Sequence, residues 1–258
     1  MPETGQLTLH LRRQRMERDR SGRAVWVPAP ETRAVDARAT ALILCDVWDR
    51  HWCRGASERL EEMLPRMAET VSAARSRGVQ IIHAPSDTMP FYRDAPARRR
   101  IASLAILPAP AELPHDDPAL PIDDSDGGGD TVGDPAGTDQ LVWTRQHPAI
   151  GIDQERDVIS DDGREILAFM AARSIAHLVI MGVHTNMCIL DRSFSIRQMV
   201  RWGVDIVLCR DLTDSMYNPA RPPYVSHAEG TALVVAYIEK FWCPTMTSDD
   251  LLAGTSRG

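Results

Sequence analysis

Gly182-Val183-His184-Thr185-Asn186-Met187-Cys188 follows an apolar run, Leu178 to Met181, and precedes an amphipathic stretch, Ile189 to Trp202. That order reads as strand, tight turn and helix. It places Cys188 at a helix N-terminus, where unpaired backbone N–H groups and the helix dipole favour a thiolate. A thiolate there is a candidate nucleophile, and the same N–H groups are candidate donors to an oxyanion. Taken alone, the residue also reads as a buried structural cysteine.

Outward from this turn, strands and helices alternate. Ala41-Leu42-Ile43-Leu44-Cys45 is a continuous apolar run ending in Asp46, which suits a strand buried on both faces of a parallel sheet. Pro65 is expected in the first turn of a helix that runs to about Arg77 and stops at Gly78. Val79 to His83 reads as a second strand and Gln140 to Trp143 as a third. Asp161 or Asp162 caps a helix through Arg173. His177 to Met181 is a fourth strand and Val204 to Cys209 a fifth, and a helix from Ala228 to Phe241 closes the series. Ahead of these, Leu7, Leu9 and Leu11 alternate with Thr8, His10 and Arg12, as in an edge strand or hairpin, while residues 15–38 read as polar and irregular. The implied fold class is α/β: a doubly wound, mostly parallel sheet flanked by helices, in three Rossmann-type layers with an N-terminal strand or hairpin extension. We place the extension at 1–38, the main domain at 39–245 and a tail at 246–258.

Composition narrows the function. The chain has 258 residues and a net charge of −7, which argues against a nucleic-acid partner. No apolar run reaches the length of a membrane span, and the start of the sequence lacks the pattern of a signal peptide. The five cysteines (Cys45, Cys53, Cys188, Cys209 and Cys243) are scattered and form no C-x-x-C, so a disulfide framework or structural zinc is not expected and a reducing cytoplasm fits. Residues 111–139 hold nine acidic residues and no Lys or Arg. They read as a solvated surface insertion; the alternatives are an active-site lid or a calcium loop, and EF-hand spacing is absent.

In a doubly wound sheet, ligands bind beyond the carboxyl ends of the strands. Asp46, Arg145 and Cys188 each follow a strand there. Together they supply an acid, a cation and a thiol, so the carboxylate can take the thiol proton while the cation holds the acid ionised. Trp48, Trp52, Phe91 and Tyr92, which follow the first two strands, are candidate pocket walls, with His51, His83, Asp87 and Asn186 as candidate polar contacts. Asp49, His51 and His83 are ligand types suited to zinc, though no metal or other cofactor is predicted. Arg98-Arg99-Arg100 reads as a solvated helix face. No G-x-G-x-x-G follows the first strand, which sets aside a dinucleotide site.

The runs Ala41 to Asp46 and Leu178 to Cys188, with Trp202-Gly203-Val204 to Arg210-Asp211, resemble the isochorismatase-like cysteine hydrolases, the superfamily of nicotinamidases and carbamoylsarcosine amidases. The resemblance spans roughly residues 38–240. It implies an Asp–Lys–Cys triad, onto which Asp46 and Cys188 map. The lysine has no counterpart: strict spacing puts Thr144 there, a shift of one puts Arg145, and Arg145 is our assignment because the role needs a positive charge. The resemblance also implies a cis peptide before His184, with the N–H groups of His184 and Cys188 as the oxyanion site. The metal pair of some relatives would fall at Ser86-Asp87-Thr88, which lacks it. Assembly into dimers or tetramers is implied as well. The expected activity is hydrolysis of a small amide or related C–N bond through a thioester. A vinyl ether hydrolase, or a non-catalytic small-molecule-binding or scaffold protein on the same fold, are the alternatives.

Overall fold

The computed structural model describes residues 5–134 and 141–253. In chain order its elements are β1 (Gln6–Arg18), β2 (Ala24–Asp36), β3 (Thr40–Cys45), α1 (Arg54–Ser76), β4 (Gln80–Ala84), α2 (Met89–Tyr92), α3 (Pro96–Ala102), β5 (Val158–Ile159) and α4 (Gly163–Ala172). Then follow β6 (His177–Val183), α5 (Cys188–Asp191), α6 (Ile196–Arg201), β7 (Asp205–Asp214), α7 (His227–Phe241), β8 (Thr245–Met246) and α8 (Asp249–Leu252). The strands form one eight-stranded sheet in the order β2-β1-β8-β7-β6-β3-β4-β5. From β8 to β5 all pairings are parallel, and β1 joins antiparallel to both β8 and β2. This is the expected doubly wound α/β sheet flanked by helices.

The central strand β3 explains the layers. Its alternate residues Ala41, Ile43 and Cys45 pack with Phe169 of α4, Phe194 and Tyr237 of α7 on one face. Leu42 and Leu44 pack on the other face with Leu60, Leu64, Met67 and Val71 of α1. A strand buried on both sides has no polar face to show, hence its uninterrupted apolar sequence. Leu7, Leu9 and Leu11 of β1 join the α1 side, so the N-terminal hairpin extends the same sheet.

Four expectations are corrected. Residues 15–38 are not irregular: β2 pairs with β1 along its whole length, and as an edge strand it buries only Val35, which conceals its period. The first helix starts at Arg54, leaving Pro65 inside it. A mid-helix proline costs about 3 kcal/mol. Here Pro65 faces solvent, so water can satisfy the orphaned Glu61 carbonyl, and the buried stripe Leu60, Leu64, Met67 and Val71 offsets the loss. No strand forms over 141–143, and Gln140 lies outside the described residues; the sheet takes β5 instead, and just beyond this segment one isolated β-bridge, Trp48 with Gln146, ties the chain to the first βα loop. The stretch 189–202 is two short helices, not one. It breaks at 192–195, where Ser195 N–H donates to the Arg192 carbonyl at 2.9 Å and Phe194 turns fully into the core.

Gly182 pairs with Cys45 where β6 meets β3, at φ +122°, and a Cβ there would collide with the Cys45 carbonyl. Gly182→Ala is expected to cost roughly 3 kcal/mol or to prevent folding. Gly151→Ala, with open space around it, should stay within about 1 kcal/mol of the parent. Urea denaturation of the two variants checks this.

Candidate active site

Asp46 is the first residue beyond β3. Its backbone turns into the left-handed region (φ +50°), and its side chain is completely buried. The Ser86 N–H, from the loop after β4, donates to Oδ1 at 2.7 Å, and the Arg192 Nε donates to Oδ2 at 3.0 Å. The Cys188 thiol lies against the same carboxylate, close enough for each group to shift the other's titration. Cys188 opens the four-residue α5 after the turn that leaves β6, and the Val183–His184 peptide before it is cis. His184 is buried, and its carbonyl accepts the N–H groups of Met187 and Ile189, closing the turn.

The cation of this cluster is Arg192, not Arg145. Arg145 is exposed and its guanidinium lies over the Phe91 ring, 5.7 Å from the centroid. The loop that carries it is stapled to the first βα loop. Asp49 accepts the Thr144 N–H at 2.9 Å and its hydroxyl at 2.6 Å, and the Arg145 carbonyl accepts the Asp49 N–H. Lys240, the only lysine of the sequence, sits over Trp26. Arg192 stands four residues after Cys188, a spacing that returns to the same side of a helix and was readable in the sequence. Its Nη2 also donates to Asp87 at 3.1 Å, and its guanidinium lies 5.9 Å from the Trp48 ring centroid.

Burial pushes the Asp46 carboxyl above the ordinary carboxylate range, against the pull of Arg192, Cys188 and Ser86. Burial and then the Asp46 charge push the Cys188 thiol far up, with Arg192 pulling the other way. The standing thiolate expected from a helix N-terminus is therefore corrected: α5 is too short to supply much dipole, and a low-dielectric site resists a second negative charge. Moving the one proton from Cys188 to Asp46 is a different matter. The net charge of Asp46, Cys188 and Arg192 is zero before and after, so burial does not oppose the internal transfer.

Cys188, Met187 and Arg192 line two adjoining cavities. The inner one, about 120 Å³, is walled by Trp48, His51, Trp52, Trp143, His184 and Met216. Trp48 and Trp143 stack at 4.0 Å between centroids, His51 stacks on Trp143 at 5.8 Å, and the Trp143 Nε1–H is buried without an acceptor among the described residues. Burial lowers the His51 pKa to about 4 and holds His184 well below the usual range, so both rings stay neutral. The outer cavity, about 460 Å³, adds Leu120, Asp124, Asn186 and Asp191. Among the expected pocket residues, then, Trp48, His51 and Asn186 line these cavities and Asp87 reaches the site through Arg192. His83 does not: it bridges Gln146 at 2.8 Å and Asp157 at 3.0 Å beneath the site. Phe91 is 57% exposed, and the Tyr92 hydroxyl accepts the Gln146 N–H.

The acidic insertion is pinned over the site as far as it is described, which corrects the reading of it as a merely solvated excursion. Asp124 accepts from the Asn186 amide at 2.7 Å, Asp130 pairs with Arg59 at 2.8 Å, and Gly128 abuts the Met216 backbone. The metal-type residues do not fit a shared ion. Asp49 is spent on Thr144, the His51 ring accepts the Cys53 N–H at 3.1 Å, and His83 is engaged at both nitrogens. Among the described residues, no three His, Cys, Asp or Glu side chains converge as ligands.

One solved structure shares this fold. A cysteine hydrolase from Pseudomonas syringae pv. phaseolicola matches over 85% of this chain and 93% of its own, with a TM-score of 0.52 and 16% identity. This is the isochorismatase-like fold. An isochorismatase from Pseudomonas putida (83% and 90% covered, TM-score 0.47, 13% identity) and an isochorismatase family protein from Burkholderia thailandensis (84% and 95%, 0.46, 14%) are also similar. No family model and no curated protein sequence matches the chain.

The half-buried, neutral His51 links stability to pH. Its folded pKa is about 4 against an ordinary 6.5, so the unfolded chain binds the proton more readily. Stability is full above 6.5 and is lost as pH falls from 6.5 towards 4. At mildly acidic pH the loss from this ring approaches roughly 2 kcal/mol. Urea midpoints at neutral and mildly acidic pH should diverge less in His51→Asn than in the parent.

Proposed function

We propose that the protein is a hydrolase of a small amide or related C–N bond, with Cys188 as nucleophile, Asp46 as proton carrier and Arg192 as the fixed cation. One observation carries this reading: the thiol and the Arg192 guanidinium meet on a single, completely buried carboxylate at the carboxyl edge of the sheet. The fold shared with a cysteine hydrolase supports it.

In the first half-reaction the thiol proton passes to Asp46 as sulfur bonds to the substrate carbonyl carbon. The oxyanion is received by backbone N–H groups of the 184–188 turn, those of His184 and Cys188; as the first helical residue, Cys188 has no intrahelical acceptor for its own. Asp46 then gives its proton to the amine nitrogen as the C–N bond breaks. In the second half, water loses a proton to Asp46 and attacks the thioester carbon, and Asp46 returns that proton to the leaving sulfur. Arg192 takes no part in proton exchange, because a guanidinium stays protonated. Its work is to hold Asp46 in place and balance the one negative charge that moves between oxygen, sulfur and substrate. The retained cysteine favours this covalent route over vinyl ether hydrolysis.

Ammonia or amine release from a panel of small amides, ureas and carbamates tests the reading. Cys188→Ala should abolish turnover, and full activity in that variant would sink it. Arg192→Met should lower kcat/KM by about a hundredfold or more, Arg192→Lys should retain part of it, and Arg145→Met should change it by less than about threefold.

A further inference from the structure

The two cavities that share Cys188 differ in charge, and this difference names a substrate class. The inner one is walled mainly by tryptophans, methionines and two histidines kept neutral by burial; Arg192 borders it too, but its guanidinium is held by Asp46 and Asp87. A charged group placed there would lose its hydration and find no free counter-ion. The outer one has a single cationic wall among the described residues, Arg192, and that guanidinium is already divided between Asp46 and Asp87. Asp191 is balanced by Arg197 at 2.5 Å. Asp124 is different. Its side chain meets the Asn186 amide and forms no ion pair among the described residues, so an uncompensated carboxylate faces the wider cavity beside the nucleophile.

Resting on the hydrolase reading above, we propose that the substrate is a small N-acyl amine: an uncharged, largely apolar acyl group sits in the tryptophan-lined cavity, and a cationic amine portion extends towards Asp124. The volumes agree with this division. About 120 Å³ holds an acyl group of a few heavy atoms, and about 460 Å³ leaves room for a longer amine. The chemistry agrees too: the acyl half stays on sulfur as the thioester, while the amine must depart, and the wider cavity gives it the exit. Asp124 is then a specificity residue that selects for positive charge and against carboxylates.

The experiment has two arms, so that this inference and the hydrolase reading can fail separately. In the first, Cys188 is labelled with a cationic thiol reagent, aminoethyl methanethiosulfonate, and an anionic one, sulfonatoethyl methanethiosulfonate, with Cys188→Ser as the blank. Each rate is divided by the rate with free mercaptoethanol. We expect the cation to be favoured, the preference to fall about fivefold in Asp124→Asn, and Asp124→Glu to restore it. Added salt should erode it. In the second arm, the acetamides of diaminobutane, butylamine and aminobutyrate are compared as substrates, and kcat/KM should fall in that order. Equal or anion-favoured labelling, or a preference unchanged in Asp124→Asn, overturns the inference. Charge-selective labelling with no amide cleaved supports the charge assignment and counts against the hydrolase reading. Cys188-dependent cleavage without the charge order overturns the substrate class and leaves the hydrolase reading standing.

Discussion

A carboxylate with no exposure at all is the constraint on which this site depends. Asp46 lies at the end of a strand whose every residue is buried, in a turn with a left-handed backbone, and its charge must be met from within the protein. Three groups from two segments meet it: the Ser86 N–H after β4, and the Cys188 thiol and Arg192 guanidinium from the two ends of α5. Both segments are thereby fixed relative to Asp46, and the nucleophile is set by the same contacts that neutralise the acid. Loss of Arg192 would leave a buried, uncompensated charge, so structure and chemistry are coupled at this one residue.

The position of the cation has consequences for the rest of the architecture. With Arg192 supplied from the nucleophile's own turn, the loop at 143–147 is free of that duty. It is bound instead to the first βα loop through Asp49, and it offers Trp143 to the stack with Trp48 and His51. The break at 192–195 has the same origin in packing. Turning the chain there buries Phe194 and leaves Arg192 at the end of α5, from which its long side chain reaches back to Asp46. A guanidinium suits this place, since its forked donors serve Asp46 and Asp87 together.

The acidic insertion shows how composition can mislead. Its carboxylates suggest a solvated loop, yet several find donors on the main domain: Asp123 with Arg221, Asp124 with Asn186, and Asp130 with Arg59 and His227. These contacts draw glycines 127 and 128 against the catalytic edge, Gly128 directly on Met216, and make the insertion a wall of the site. Its acidity is therefore both the means of attachment and, at Asp124, a feature of the cavity.

The sequence by itself determined the elements that short-range pattern controls. The apolar runs of β3 and β6, the Asp162 cap of α4, the alternation of Leu7, Leu9 and Leu11, and the pairing of Asp46 with Cys188 at strand ends were all legible, because strand burial and helix capping are written in neighbouring residues. The tertiary structure alone decided the rest. Which of 28 arginines neutralises Asp46 is decided by where the chain crosses in space; the spacing of Arg192 from Cys188 nominates it but does not show that it reaches Asp46. The strand β2 was hidden because an edge strand buries little, and α1 ran through Pro65 because its buried stripe outweighed a local preference. Long-range burial overrules local signals where a charge or an apolar face must be compensated, and at Asp46 that compensation assembles the site.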